Sequence, residues 1–252
     1  MEVVVCVKQI PDPASPSSLD PDTHNLIRPP DQVLDDTDRY GLEVGLQIAE
    51  QTEGKVTIVS MGPAGSMQGI RQALAMGADK AVIIDDSALE GSDALTTAKV
   101  LAAAASREGF DVVIAGVEST DGYSGVVPQM MAELLDVPAL TFARRFELDG
   151  SSVRIERQTA AGFDVVESSL PAVLAVTAGV VEPRYPTFKG IMAAKSKPID
   201  NLTASDLSVS NDARQTIDSV VPAPARVGGE IVEDDGDAHL RIIEVLEQAK
   251  VI

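Results

Sequence analysis

Asp121-Gly122-Tyr123-Ser124-Gly125 places a carboxylate, a hydroxyl and two glycines directly ahead of a helix-forming segment. Glycines let a ligand approach the backbone closely, and N–H groups at a helix start attract phosphate oxygens. Asp121 would accept hydrogen bonds from a ribose or orient the loop. The same spacing suits an Asx-turn closed by a glycine cap, and the residues alone leave both readings open. Cys6, at the inner end of a strand, reads by itself as a small buried filler. Phe188 lies in a loop bounded by proline and charge, where it is either an exposed apolar residue or one folded back onto the core. Lys189, Lys195 and Lys197 make the following segment basic within an acidic chain, a contrast that suits docking and equally a solvated loop.

No catalytic constellation accompanies these residues. G-x-G-x-x-G, G-x-x-x-x-G-K-[ST] and G-x-S-x-G are absent, and His24 and His239 lie on distant segments. A single cysteine excludes an internal disulfide framework and, with two histidines, a Cys/His metal cage. The expectation is a protein that is not itself an enzyme and whose redox chemistry, if any, comes from a bound cofactor.

Composition narrows the class further. Thirty-nine acidic against 20 basic residues give a net charge of −19, a field that repels nucleic acid and anionic lipid. No Trp, three Tyr and five Phe leave no platform for stacking bases. The longest apolar run, Pro171 to Val181, falls short of the roughly 20 residues that span a bilayer, so no membrane insertion is expected. No basic-then-apolar leader precedes Val3, and the expected setting is a reducing cytoplasm. Abundant Asp, scarce Lys and small apolar side chains resemble proteins of salt-loaded cytoplasm, where screening makes such charge tolerable.

The elements that must position these residues read as repeated βα units over the first 140 residues. Strands are expected at Glu2–Val7, Lys55–Ser60, Lys80–Ile84, Asp111–Ala115 and from Ala139. Helices are expected from Thr37 to Glu50, after Ser66 to Gly77, after Ser92 to Gly109, and from Val126 to Leu135. The stretch Pro11 to Pro30 is too polar to pack, and reads as a loop or hairpin excursion. Beyond Thr141 the pattern alternates, and Arg144–Leu148, Val153–Gln158 and Asp164–Ser168 read as antiparallel hairpins, followed by a buried strand, Ala172–Val176. From Ala178 a loop is expected, from residue 200 an extended arm, and at His239–Lys250 an amphipathic helix. The fold class is therefore α/β: a Rossmann-like open, mainly parallel sheet with helices on both faces, antiparallel hairpin additions and an extended C-terminal arm. Residues 1–199 form the α/β domain and 200–252 the arm and helix. Ligands dock beyond the carboxyl ends of strands in such sheets, which singles out Val7–Ile10, Met61–Ser66 and Gly116–Gly125.

Four motifs in order carry a resemblance. They are Val5-Cys6-Val7-Lys8-Gln9-Ile10-Pro11-Asp12, Ala73-Leu74-Ala75-Met76-Gly77-Ala78-Asp79, Asp121 to Pro128, and Leu170-Pro171-Ala172-Val173 leading to Glu182-Pro183-Arg184-Tyr185. Together they resemble the β (small) subunit of electron transfer flavoproteins over essentially the whole chain. The resemblance implies a heterodimer with an α subunit that holds most of the FAD, and an AMP bound by β as structural cement. Nucleotide contacts carried over by position fall on Cys6 and Met61, through backbone, on Asp35, Asp36, Thr37 and Asp38, and on Asp121, Gly122, Tyr123, Ser124, Gly125, Val126, Val127, Pro128, Gln129, Met130, Met131 and Ala132. Where the family has N-P-F-[DC], this chain has Asp35-Asp36-Thr37-Asp38, and in the phosphate loop Tyr123 replaces Asp and Val126 replaces Gln. Members that bifurcate electrons carry a second FAD in place of AMP.

Residues 179–197 are similar to the family's recognition loop, with Phe188 at the anchor position, and Arg184, Tyr185, Lys189, Ile191 and Met192 around it. The resemblance thus implies electrons taken from dehydrogenases, such as the acyl-CoA dehydrogenases of fatty acid β-oxidation, and passed to a membrane quinone oxidoreductase. Two other readings remain: a stand-alone adenine-nucleotide-binding regulator, and an adenylating or pyrophosphatase enzyme. The enzyme would need an S-G-G-x-D-S type loop where this chain has Lys8-Gln9-Ile10-Pro11.

Overall fold

Side chains alternate across a strand, and the first strand, β1 (Glu2–Cys6), is apolar on both faces. Val3 and Val5 enter one hydrophobic layer, while Val4 and Cys6 enter another on the opposite side. A computed structural model describes residues 1–252 apart from 64, 216, 222, 226, 227 and 235. After β1 come the short pair β2 (Gln9–Ile10) and β3 (Val33–Leu34), then α1 (Asp36–Thr52), β4 (Lys55–Met61), α2 (Gln68–Met76) and β5 (Lys80–Ile84). The chain continues through α3 (Ala94–Glu108), β6 (Val112–Gly116), α4 (Val127–Leu135), β7 (Ala139–Asp149), β8 (Ser152–Thr159), β9 (Gly162–Ser169) and β10 (Ala172–Val176). It ends with α5 (Phe188–Ala194), β11 (Ile199–Leu202) and α6 (Ala238–Gln248).

The described residues form a nine-stranded sheet in the order β11-β5-β4-β1-β6-β10-β7-β8-β9, and β2 pairs separately with β3. Every pairing from β11 across to β7 is parallel; β8 and β9 add an antiparallel meander. Helices α1, α2 and α5 supply residues to the layer around Val3 and Val5, and α3 and α4 supply the layer around Val4 and Cys6. This is the expected α/β architecture, open and helix-covered on both faces.

Helix α1 crosses the sheet closely because its inner face carries glycine. A Cβ on Gly45 would stand 2.7 Å from Val5 Cγ2, and one on Gly41 would stand 3.5 Å from the Ala115 carbonyl carbon. That approach brings the start of α1 against the carboxyl ends of β1 and β6.

Several local expectations are corrected. Ser66 does not cap α2: Met67 is the N-cap residue, in a left-handed conformation, and the Gln9 side-chain carbonyl accepts from Gly69 N–H at 2.9 Å and Ile70 N–H at 3.4 Å. Ser92 does not cap α3 either. Asp93 accepts from Thr96 N–H at 2.8 Å, a carboxylate being the stronger acceptor at a positive helix end, while Ser92 Oγ donates to Leu89 O. The strand from Ala139 and the hairpin strand Arg144–Leu148 are one element, β7, which bends at Phe142 (φ +55°) and shifts register between Ala143 and Arg145. The loop from Ala178 contains helix α5, and Ile199–Leu202 joins the sheet beside β5.

The chain divides into two units, Met1–Ile217 and Asp218–Ile252. In the second, Arg241 bridges Glu230 at 2.7 Å and Glu244 at 2.6 Å, and α6 exposes Leu240, Ile242, Ile243 and Val245. Among the described residues no helix is long and apolar enough to cross a membrane.

Candidate functional site

Strand order reverses at β1: β4 and β5 build outward on one side, while β6 lies on the other. Loops leaving β1 and β6 must therefore part in opposite directions, which opens a crevice at their carboxyl ends. Lys8 follows β1, Glu118 to Gly125 follow β6, and the start of α1 closes the side.

Asp121 is the pivot of this crevice. Its carboxylate, 4% exposed, accepts from Lys8 Nζ at 2.7 Å on one oxygen and from Arg28 Nη2 at 2.8 Å on the other. Burial alone would raise its pKa, but the charge and hydrogen bonds of Lys8 and Arg28 outweigh that and hold it below the usual carboxylate range. Lys8 lies in the Val7–Ile10 loop singled out by the strand order, whereas Arg28 lies outside every expected site. Position supplies no signal for Arg28, which arrives from the far end of the 11–30 excursion.

Asp35 is the N-cap of α1. One of its oxygens accepts from Thr37 N–H and Oγ1, at 3.0 and 2.9 Å, and the other from Thr120 N–H and Oγ1, at 2.7 and 3.1 Å. It thus ties the start of α1 to the loop after β6. Asp38, one turn on, is buried and accepts from Lys8 N–H at 2.6 Å. Burial first, then the negative charge of Asp35, pushes its pKa well above the carboxylate norm, against the opposing pull of Lys8. Asp36 points to solvent with Arg39 3.2 Å away.

The remaining expected nucleotide residues divide by exposure. Gly122, Tyr123, Ser124 and Val126 are exposed on the loop, with Tyr123 (φ +48°) and Gly125 (φ +63°) in left-handed conformations that turn the chain into α4. Val126 gives α4 no side-chain cap; in the first turn Pro128 carries no N–H and Met130 N–H donates to Val126 O at 3.0 Å, so the N–H groups of Val127 and Gln129 are the ones without a side-chain acceptor from the cap. Gln129 Oε1 is buried and, among the described residues, has no hydrogen-bond partner. Met61, Val127, Pro128 and Met130 are partly or fully buried around this point. Cys6, Met131 and Ala132 sit beneath it in the hydrophobic layer, with Cys6 Sγ 4.0 Å from Met131 Sδ. Burial lifts the Cys6 thiol to about 12, assisted by Asp38, so it stays protonated at neutral pH.

The second group of expected residues gathers on α5 and the turn before it. Thr187 caps α5 by accepting from Gly190 N–H at 3.0 Å. Phe188 is 81% exposed, and Ile191 and Met192, at i+3 and i+4 from it, are also exposed, as are Lys189 and the 76% exposed Tyr185. Arg184 instead turns inward onto α1. Lys197 turns inward as well, donating to Leu74 O, Gly77 O and Ala78 O at 3.0, 3.1 and 2.6 Å, while Lys189 and Lys195 are exposed.

Fold and crevice define a doubly wound α/β protein with, among the described residues, no cluster of His, Cys, Asp and Glu arranged for a metal ion. The electron transfer flavoprotein domain family matches residues 25–207. An electron transfer flavoprotein subunit beta of Mycobacterium tuberculosis is 41% identical over 263 residues, 99% of each chain. Proteins of the same name from Thermoanaerobacterium thermosaccharolyticum and Megasphaera elsdenii are each 33% identical across the full length of both chains. The chain belongs to the electron transfer flavoprotein family.

Proposed function

We propose that this chain is the β subunit of a heterodimeric electron transfer flavoprotein of the cytoplasm, holding AMP in the β1/β6 crevice and helping enclose an FAD carried mainly by an α subunit. The observation that carries the nucleotide assignment is at the head of α4: a helix start without a side-chain cap, and in its first turn a buried amide oxygen, Gln129 Oε1, with no donor among the described residues. A phosphate satisfies the first, and an N–H or O–H of an adenylate satisfies the second. Asp121 then acts as a pillar between Lys8 and Arg28, leaving the backbone of Gly122 to Val126 to meet the ligand.

When bound, the flavin supplies the electron-accepting and electron-donating chemistry. This chain's residues position, shield and dock. Phe188, with Ile191 and Met192, offers an apolar anchor for dehydrogenase donors, and Lys189 and Lys195 set orientation and encounter rate. A membrane quinone oxidoreductase is the acceptor, and the 200–252 segment with α6 packs on the α subunit.

The test is purification of the chain together with its co-expressed partner, a visible spectrum, and mass analysis of released nucleotides. One FAD and one AMP per complex is the expected result; two FAD molecules would replace AMP by a second flavin in the same crevice. A colourless complex without nucleotide overturns the proposal.

A further inference from the structure

Residues 182–197 carry the exposed apolar anchor, and two charged side chains of the segment, Arg184 and Lys197, attach it to two different helices. Arg184 lies over α1. Its Nε and Nη2 contact the two oxygens of Glu43 at 2.7 and 2.9 Å, its own N–H donates to Glu43 at 3.2 Å, and its Nη1 and Nη2 reach Glu50. Glu43 is buried, and burial would raise its pKa. Hydrogen bonds from Arg184 and Gln47 outweigh burial and hold it low, so the carboxylate stays ionised for its partner. The adjoining Tyr185 ring lies 5.6 Å from the Arg39 guanidinium on the same helix.

At the far end Lys197 closes the C-terminus of α2 through three carbonyl oxygens. Between the two, α5 rests on α2 so closely that a Cβ on Gly190 would clash with the Ala75 carbonyl oxygen. The segment is thus fixed at its start, middle and end, while Phe188 is 81% exposed and Ile191 and Met192 are about half exposed.

We propose that Arg184 and Lys197 are positioning residues that clamp the 182–197 segment to α1 and α2, so that the Phe188 anchor meets its partner as a pre-formed platform. Neither touches the partner; each acts through α5. A platform ordered in advance avoids the entropy of ordering a loop at docking, so the clamp appears in affinity rather than in the electron-transfer step. Arg is required at position 184 because a lysine ammonium cannot meet both oxygens of Glu43 and Glu50 at once.

The inference rests on the docking role given to Phe188, and the experiment separates the two. In the flavin-loaded complex, Arg184→Gln and Lys197→Met are compared with Phe188→Ala by amide hydrogen exchange and by reduction with an acyl-CoA dehydrogenase. Both clamp variants are expected to speed exchange over residues 188–195 and raise KM for the dehydrogenase, each on the order of tenfold, with kcat and flavin content unchanged. Glu43→Gln is expected to match Arg184→Gln, and the double variant to add nothing further. Phe188→Ala raises KM with exchange unaltered. Unchanged exchange in both clamp variants overturns the clamp. An unchanged KM in Phe188→Ala overturns the docking role and leaves the exchange result standing. Should Arg184→Gln lose its fold, Lys197→Met decides the matter from the other end.

Discussion

Asp38 gives a stability prediction whose sign and slope both come from its surroundings. The carboxyl is buried at the start of α1, with Asp35 on one side, Asp121 beyond, and the Lys8 backbone N–H 2.6 Å away. Burial, then Asp35, raises its pKa well above the ordinary value in the folded protein. The folded state therefore holds a proton that the unfolded state releases above about pH 3.9. Stability contributed by this group is complete below that pH and is lost as pH rises toward the folded pKa. The slope is at most about 1.4 kcal/mol per pH unit for one proton.

Asn at position 38 cannot titrate, yet its side-chain carbonyl still accepts from Lys8 N–H. Between the wild type and Asp38→Asn, the free-energy gap should be constant below about pH 4 and then open in favour of Asn by about 1.4 kcal/mol per unit, until the folded pKa is passed. With a urea slope of about 2–3 kcal/mol/M, each unit moves the relative midpoint by about half a molar. Urea unfolding from pH 4 to 8 measures it. A gap that does not change with pH, or one that opens in favour of Asp, refutes the buried, protonated reading of Asp38.

Asp121→Asn should cost about 1–3 kcal/mol at pH 7, discounted because Lys8 and Arg28 are one-third exposed, and the cost should vanish as pH falls through the depressed folded pKa; thermal melts across pH 2–7 check it. Gly45→Ala should destabilise by about 1–2 kcal/mol, since overpacking against Val5 Cγ2 at 2.7 Å outweighs the roughly 1 kcal/mol gained in helix propensity, as read by urea midpoint. At −19 net charge, the melting temperature should climb between low and molar KCl, and a salt-independent midpoint removes the halophile-like reading of the composition.

Local periodicity carried most of the sheet. Lys80–Ile84 and Ala172–Val176 are strands with the bounds their apolar runs predict, because a buried parallel strand leaves an unbroken hydrophobic run between turn residues. Gly109 ends α3 as expected, donating to Ala105 O and Ser106 O. What escaped is non-local. Gln9 caps α2 from 60 positions away, and Asp121 is matched by Lys8 and Arg28 from 113 and 93 positions away. No window of sequence contains those pairs. Arg184 and Lys197 were legible as charged loop residues, but which side of the loop faces α1 or α2 depends on the packing of α5, a seven-residue helix too short to show its own period. Phe142 kept β7 continuous by bending it, and a left-handed aromatic has no composition signal at all.

Helix α1 joins the two regions to which nucleotide binding and partner docking are assigned in the proposal. Its first turn holds Asp35 and Asp38 in the crevice, and Glu43 and Glu50, one and three turns or so further on, receive Arg184. At 1.5 Å per residue, Asp36 and Glu43 are only about 10 Å apart along the helix. Gly41 and Gly45 press that rod onto β1 and β6, so neither end can shift without disturbing the centre of the sheet. On the proposed docking role, a partner at Phe188 would be held in a fixed relation to the crevice through one rigid element rather than through a chain of loops. In the proposed role the demand for precision falls on packing within this subunit, since Phe188 itself is 81% exposed and makes little contact of its own.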